Sequence, residues 1–432
     1  MRGRRLNSRT FASAMHVRSY RWWFGSQILS VSGAMMQAVA MSWLVLKLSN
    51  SAFLLSVTTS VMFAPLLVGG AWAGSLVDRF EPRHVLLLTQ IAFLVLTTAF
   101  GTLVAAGASP VWVVFLFAFA NGLVSTFDLP ARQVFVLDLV GRDHAANAVS
   151  LNEVVINTSR VLGPAVGGTL LATVGVAACL FVNAATFVPP LAVLIALISR
   201  RGWSTRRVEH HERRQGHVWE GLRYAWQARA VRSCILMAIA GGMLFNMGVT
   251  LPLLATRAFH AGPEGYGTMM ATFGVGALFG AGFAASGPAW PSGRTVRVLV
   301  ALNGAEIVLA AASPWIGLLY LGLAIAGLLS IWYISLANAL VQLRTERPLQ
   351  GRVMGIWTMA LPGMAPLTSL LIGAVAAWGG GGAGAREAFG LAGVALLVSA
   401  VLGWRALADR DAAVVPPLGA AVAAETCATR SC

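Results

Sequence analysis

Long apolar runs alternate with short polar segments from residue 22 to residue 404. Nine runs without Asp, Glu, Lys or Arg are long enough to form membrane helices, and three of them hold 37 residues or more. A membrane helix needs about 20 apolar residues, so each of these three runs predicts two helices. Turn residues lie near their middles, at Gly107–Pro110, Gly175 and Ser313–Pro314. The pattern therefore predicts twelve membrane-spanning helices.

The predicted spans, numbered 1 to 12 in chain order, cover 22–46, 53–77, 84–106, 110–130, 146–172, 176–198, 232–256, 266–287, 295–313, 315–340, 352–378 and 386–406. Ionisable residues interrupt two of them, because span 5 contains Glu153 and Arg160 and span 9 contains Glu306. Of the 31 basic residues, 27 lie in the two tails and the even-numbered connections. Basic loops stay on the cytoplasmic side of a membrane, so both termini are predicted to be cytoplasmic.

A polar segment at 199–231 separates the first six spans from the last six. Within it Trp219, Leu222 and Trp226 recur at helical spacing, which predicts an amphipathic helix over 217–230 on the membrane surface. The predicted domains are an N-terminal six-helix bundle at 1–198, a cytoplasmic linker at 199–231, a C-terminal six-helix bundle at 232–408 and a disordered cytoplasmic tail at 409–432.

Composition supports a membrane protein and excludes several other classes. The chain is 57% hydrophobic and 11% charged, whereas a soluble protein carries about 25% charged residues. Its net charge of +15 fits basic cytoplasmic loops, so no nucleic-acid partner is predicted. The four cysteines are scattered and form no CxxC pair. The linker histidines, His210, His211 and His217, are interpreted as part of a solvated segment and not as metal ligands. No phosphate-binding loop is present, so we predict neither an enzyme nor a cofactor nor a metal site.

The two groups of six spans share a faint repeat. Gln133 follows span 4 and Gln342 follows span 10, and each precedes a charged turn and a new helix. Proline lies at a similar depth in spans 5 and 11, at Pro164 and at Pro362 and Pro366. Two parallel six-helix repeats are typical of one large class of secondary transporters.

The connection between spans 2 and 3 reads GSLVDRFEPR, from Gly74 to Arg83. It resembles the GxLaDRxGRR signature of the major facilitator superfamily, although Glu81 replaces a glycine. The resemblance implies that Gly74, Asp78, Arg79 and Arg83 form a conformational latch. It further implies that the Asp78 carboxylate holds the outward-open state by facing span 11, with Arg132 as a candidate basic partner.

Span 5 carries a second motif, made of Arg160, Gly163, Pro164, Gly167 and Gly168. Proline removes a backbone donor and glycine permits close packing, so a bend is expected here. The motif resembles the GPxxGG element that is associated with proton-coupled export in the superfamily. Helix packing alone is the alternative interpretation, and the GxxxG pairs Gly163–Gly167 and Gly276–Gly280 are expected to pack helices.

Four further segments, at 41–55, 128–136, 221–227 and 349–357, together resemble the enterobactin-exporter-like branch, also called transmembrane secretion effectors. This resemblance implies an all-α major facilitator fold in the inner (plasma) membrane. It also implies a monomer that exports siderophores, drugs or other small amphipathic compounds. One departure is that span 4 lacks the arginine, and span 1 the acid, of proton antiporters.

Three ionisable residues are proton-coupling candidates: Glu153, Arg160 and Glu306. Glu153 and Arg160 lie two helical turns apart, about 10 Å, and Asn157 between them is placed to bridge. Glu306 lies in the middle of span 9, where a carboxyl group could carry a proton. A solvated position for Glu153, and a structural hydrogen bond for Glu306, are the open alternatives.

Spans 1, 4, 7 and 10 form the cavity walls in the superfamily. Their neutral polar and aromatic residues are the predicted substrate contacts, and each also has helix packing as an alternative role: Gln37, Trp43, Asn121, Asn246, Thr250, Trp332, Tyr333 and Asn338. Such a lining favours an amphipathic cargo that is not strongly anionic.

The sequence therefore predicts a secondary transporter of the lipid bilayer that exports small amphipathic molecules in exchange for protons by alternating access. Two alternatives stay open. One is an importer with the same fold, and the other is a membrane scaffold or receptor without transport.

Overall fold

The computed structural model describes residues 13–77, 80–141, 144–199, 218–244, 246–286, 292–345, 353–354, 356–357, 360 and 363–407, and all regular structure in these residues is helical. The helices are α1 Arg18–Ser49, α2 Ala52–Val77, α3 Pro82–Ala105, α4 Val111–Val140, α5 Ala145–Thr173, α6 Val176–Thr186, α7 Val188–Ile198, α8 Val218–Gln227, α9 Arg229–Leu244, α10 Met247–Leu253, α11 Gly262–Ser286, α12 Gly293–Ala311, α13 Ile316–Arg344, α14 Ala365–Trp378 and α15 Gly381–Gly403.

The three turns predicted inside the longest apolar runs are confirmed. Gly107 and Gly175 adopt positive φ angles of 70° and 102° between helices, a conformation that residues with a side chain rarely adopt. The segment Ser313–Pro314 likewise separates α12 from α13. Each long run therefore forms two helices, as the spacing of the turn residues indicates.

Two predicted spans are not single regular helices. Span 6 breaks at Phe187 into α6 and α7, because two prolines at the start of α7 cannot donate backbone hydrogen bonds to α6. Span 7 comprises α9, α10 and a π-helical turn, Leu254–Ala258, with Pro252 inside α10. The predicted amphipathic helix of the linker is shorter than expected and covers Val218–Gln227.

Among the described residues, eight helical segments are long and apolar enough to cross a membrane, and the bent pair α9 and α10 would make nine. Three other helices match predicted spans without meeting those two criteria. Of these, α5 carries Glu153 and Arg160, α12 carries Glu306, and α14 is 14 residues long. Every predicted span thus contains a described helix, while twelve membrane crossings remain a prediction.

Helix contacts recur with a period of six spans. The pairs α2–α4, α3–α6 and α1–α5 lie among the first spans, and α11–α13, α12–α15 and α10–α14 are their counterparts. Small residues allow the close approaches: a side chain at Gly122 would collide with the Met62 carbonyl, and one at Gly276 with the Ala324 carbonyl. Packing of this kind is the main source of helix association in a bilayer.

Within the described residues, five helix pairs join the helices before residue 200 to those after residue 217: α5 with α11, α2 with α14, α1 with α10, α2 with α10, and α1 with α11. We call this interface the seam. Its contacts lie in the second halves of α1 and α5 and in the first halves of α2 and α11. Short connections make successive helices antiparallel, so these halves lie at one end of the bundle. We call it the closed end; the α2–α3 connection lies at the opposite end.

Candidate functional site: the seam between the two helix sets

Hydroxyl groups join α2 to α14 in the seam. The Oγ atoms of Ser60 and Ser369 lie 2.8 Å apart, and the Ser60 hydroxyl also donates to the Pro366 carbonyl at 2.9 Å. All three residues are buried. One turn away, a side chain on Gly373 would collide with Ser56, so the two helices touch closely. These are uncharged contacts that a change of conformation can break at low cost.

The closest backbone approach in the seam joins α5 to α11. A Cβ atom on Gly168 would lie 2.7 Å from the Gly267 Cα, and one on Gly267 would lie 2.9 Å from the Pro164 carbonyl oxygen. Farther along, a Cβ atom on Gly274 would lie 2.8 Å from the Arg160 carbonyl oxygen. Only glycine fits at these positions, because any Cβ atom would push the helices apart.

The residues of the span 5 motif therefore contact two different helices. Gly168 and Pro164 face α11, whereas Gly163 and Gly167 face α1 at Ser32 and Met36. Both GxxxG pairs pack helices as expected, since Gly280 likewise lies against Leu328 of α13.

At the closed end an arginine side chain spans the seam. The Arg257 guanidinium donates a 2.5 Å hydrogen bond from Nη2 to the backbone carbonyl of Asn50, which follows α1. Asn50 adopts a left-handed conformation with φ of 46°. A Cβ atom on Gly248 of α10 would lie 3.2 Å from the Ser42 hydroxyl, so α1 and α10 also touch directly.

Arg160 lies in the middle of α5, near the seam. It donates from Nη1 to the Asn157 side-chain oxygen at 3.1 Å, which is one side of the predicted bridge. Glu153 belongs to the same helix, and its side chain lies outside the described residues.

Most of the predicted latch cannot be placed. Asp78 and Arg79 lie outside the described residues, as do the linker histidines and the tail after residue 407, and Gly74 lies in the last turn of α2. Arg83 is described, and its guanidinium pairs with the exposed Glu81 carboxylate at 2.7 Å.

A buried ion pair beside this region was missed by sequence reasoning. Asp128 is 3% exposed, and its carboxylate accepts hydrogen bonds from Thr89 at 2.8 Å, Gln90 at 3.0 Å and the Arg132 guanidinium at 2.5 Å. Arg132, the proposed partner of Asp78, thus pairs with Asp128. The signal in the sequence was the Asp-x-x-x-Arg spacing at the end of span 4, which places both residues on one helix face.

The predicted cavity residues have different neighbours. The Gln37 side chain faces α6 and α3, where its oxygen accepts from Asn183 at 2.7 Å and from Thr97 at 3.3 Å. Asn246 donates to the Thr368 hydroxyl of α14 at 2.8 Å. Trp332 stacks on Phe283 with 5.1 Å between ring centroids. The remaining members divide between the core and partly exposed positions: Asn121, Thr250 and Tyr333 are buried, and Trp43 and Asn338 are partly exposed.

Glu306 lies between α12 and α13. A Cβ atom on Gly322 would lie 2.9 Å from its Oε1 atom, so the absence of a side chain at Gly322 makes room for the carboxyl group. Within the described residues its Oε2 atom is buried without a hydrogen-bond partner. One turn earlier, Asn303 donates to the Ser330 hydroxyl of α13 at 2.9 Å.

Comparison with known proteins identifies the family of the chain. The sequence profile of a family described as "Transmembrane secretion effector" matches residues 9–418. The chain belongs to this family. As a transmembrane secretion effector it is a multi-pass membrane transporter of the major facilitator type, and the resemblance noted in the sequence is confirmed.

Two relatives and one solved structure illustrate what the chain is similar to. The staphyloferrin A transporter of Staphylococcus aureus is 24% identical over 60% of this chain and 64% of its own length, slightly under two thirds. The multidrug efflux pump Tap of Mycolicibacterium fortuitum is 28% identical over 78% of this chain and 84% of the pump. A bacterial homologue of the human lysosomal transporter Spinster, solved inward-facing and occupied, has a TM-score of 0.68 at 14% identity, covering 90% and 97% of the two chains.

Proposed function

We propose that the chain is a proton-coupled exporter of small amphipathic molecules in the inner (plasma) membrane, and that it works as a monomer by alternating access. The observation that carries this proposal is the position of the span 5 motif, which packs α5 against α1 and, across the seam, against α11. Two helix sets that meet through glycine and hydroxyl contacts can separate at one end as they approach at the other.

The predicted orientation assigns the closed end to one side of the membrane. If both termini are cytoplasmic, the closed end faces the outside, as expected for an inward-facing state. An exporter in this state binds its cargo from the cytoplasm. The names of the two relatives, an efflux pump and a siderophore transporter, support small amphipathic cargo for this chain as well.

Coupling to protons needs an ionisable group within the membrane, where an isolated charge is costly. Two groups fit this requirement. Arg160 lies at mid-helix in α5, beside the seam, and Glu306 keeps one carboxyl oxygen without a partner among the described residues. We propose that Arg160 lines the transport pathway and that Glu306 exchanges a proton during the cycle.

The test is efflux from cells that express the chain, with a panel of fluorescent amphipathic dyes of positive, zero and negative charge. We expect efflux that a protonophore stops, and we expect Arg160→Ala to abolish it at equal membrane abundance. Glu306→Gln keeps the side-chain volume and should flatten the dependence of the efflux rate on external pH.

Each alternative has its own result in this assay. Accumulation of dye instead of efflux would indicate an importer. Efflux unaffected by the protonophore would refute proton coupling. A chain that is present in the membrane and moves no dye in either direction would contradict transport of this cargo class. Glu306→Gln with the wild-type pH profile would remove Glu306 from the coupling mechanism.

A further inference from the structure

A cavity of ≈440 Å³ opens at the closed end and belongs to both sides of the seam. One wall is the last turns of α1 and the residue after it, and the other is the π-helical turn that follows α10. The volume lies within the range of pockets that hold small organic ligands. The lining residues are Trp43, Leu46, Lys47, Asn50, Thr256 and Arg257.

Two positive charges face this cavity. Lys47 is the only lysine in the chain, and together with Arg257 it accounts for two of the three basic residues in the odd-numbered connections. Neither side chain has a carboxylate within 4.0 Å among the described residues. Arg257 uses Nη2 on the Asn50 carbonyl, and a guanidinium has five N–H donors, so others are left for a ligand. The cavity therefore combines two cations without a carboxylate partner in the part of the chain that the structure describes.

An apolar surface lies beside the two charges. Trp43 is partly buried and lines the cavity, and Leu46, which also lines it, is 6% exposed. An indole ring offers a flat surface for an aromatic or aliphatic body, while the cations attract an acidic group. A ligand that contacts both the apolar surface and the two cations has an apolar body and one acidic group.

We propose that this cavity binds an amphipathic anion, with its acidic group between Lys47 and Arg257 and its apolar body against Trp43 and Leu46. The inference rests on the proposed export function and narrows the cargo class to molecules with an acidic group. The cavity would bind such a molecule at the closed end, where it leaves the protein. A single acidic group is compatible with the neutral lining that spans 1, 4, 7 and 10 predict. The same chemistry also fits the phosphate of an anionic lipid.

The unique lysine permits a direct binding assay on the full-length, detergent-solubilised protein. An N-hydroxysuccinimide ester acetylates Lys47, and peptide mass spectrometry measures the rate, with the N-terminal amino group as internal reference. The probe is 2-naphthoate, and its neutral amide, 2-naphthamide, is the matched control. At four times its dissociation constant naphthoate should slow the acetylation of Lys47 about fivefold, and naphthamide should leave it unchanged.

Variants locate the binding. Arg257→Gln leaves Lys47 to be labelled and should remove the protection by naphthoate, and Arg257→Lys should restore part of it. Trp43→Leu should weaken protection. Arg386→Gln is the control, because Arg386 lies at the same end and donates to the carbonyls of Ala311 and Ser313, outside the cavity. Equal protection by naphthamide, protection that persists in Arg257→Gln, or no protection from any anion would overturn the proposal.

Nanodiscs distinguish the two sources of the anion. Protection by phosphatidylglycerol but not by phosphatidylcholine, with no effect of naphthoate, would assign the site to a lipid headgroup. Protection by naphthoate in phosphatidylcholine nanodiscs would assign it to a soluble acid. Binding is measured without transport, so the two proposals can fail separately. Protection of Lys47 without dye efflux would support the binding site and not the exporter. Dye efflux without protection of Lys47 would support the exporter and not this site.

Discussion

Replacing Gly168 with leucine is expected to abolish transport. The Cβ atom alone would lie 2.7 Å from the Gly267 Cα, and both positions are backbone of helices that meet across the seam. The leucine side chain cannot be accommodated by rotating a neighbour, so α5 and α11 must separate. Overpacking of this kind costs about 1–3 kcal/mol, which shifts a two-state equilibrium roughly 5- to 150-fold. The closed end would stay open, and the cycle would stop.

Gly282→Leu is the matched control for this variant. Gly282 lies in α11, the helix that Gly168 contacts, and a Cβ atom on Gly282 would meet nothing within 4 Å. Both variants should reach the membrane in wild-type amounts, measured by immunoblot, and efflux of the dye should persist only in Gly282→Leu. Wild-type efflux in Gly168→Leu would show that the closed end does not need this contact.

The second large effect is expected at the buried ion pair, where Asp128→Asn should destabilise the protein strongly. Asparagine keeps an oxygen for the Thr89 and Gln90 donors but loses the negative charge, so Arg132 is left without its counter-charge. Breaking a buried pair on one side costs about 3–5 kcal/mol. The unfolding midpoint of the purified protein, measured by differential scanning fluorimetry, should fall accordingly.

Glu81→Gln provides the comparison for the second prediction. It is the same carboxyl-to-amide change in the α2–α3 connection, and the Glu81 side chain is 47% exposed beside Arg83. Exposed pairs contribute little, because water screens them, so its midpoint should stay close to that of the wild type. Equal decreases of the unfolding midpoint in both variants would contradict the prediction, because they would show that burial of Asp128 does not increase the cost of losing its charge.

The elements were predictable because they depend on local features. Gly107, Gly175 and Ser313–Pro314 mark turns wherever the rest of the chain lies, since positive φ angles and missing donors act over a few residues. The break inside span 6 was missed because prolines within an apolar run do not change its length or hydropathy. The family was equally visible, because its motifs are contiguous segments.

The site was less predictable because it depends on contacts between distant segments. Gly168 and Gly267 touch across 99 residues, and nothing local to either one identifies its partner. Gln37 and Asn246 look alike as polar residues of apolar spans, yet the Gln37 side chain bonds to α3 and α6 and the Asn246 side chain bonds to α14. The closed-end cavity combines Lys47 and Arg257, which are separated by 210 positions.

The central claim is that the seam must open at its closed end for each molecule transported, and a reversible cross-link tests it most directly. The Oγ atoms of Ser60 and Ser369 lie 2.8 Å apart, so Ser60→Cys with Ser369→Cys places two thiols within reach of a disulfide. The measurement is dye efflux before oxidation, after oxidation and after reduction, in a background whose four native cysteines are replaced by alanine. Efflux should stop on oxidation and return on reduction, while either single cysteine variant stays active. Undiminished efflux from fully cross-linked protein would contradict the account.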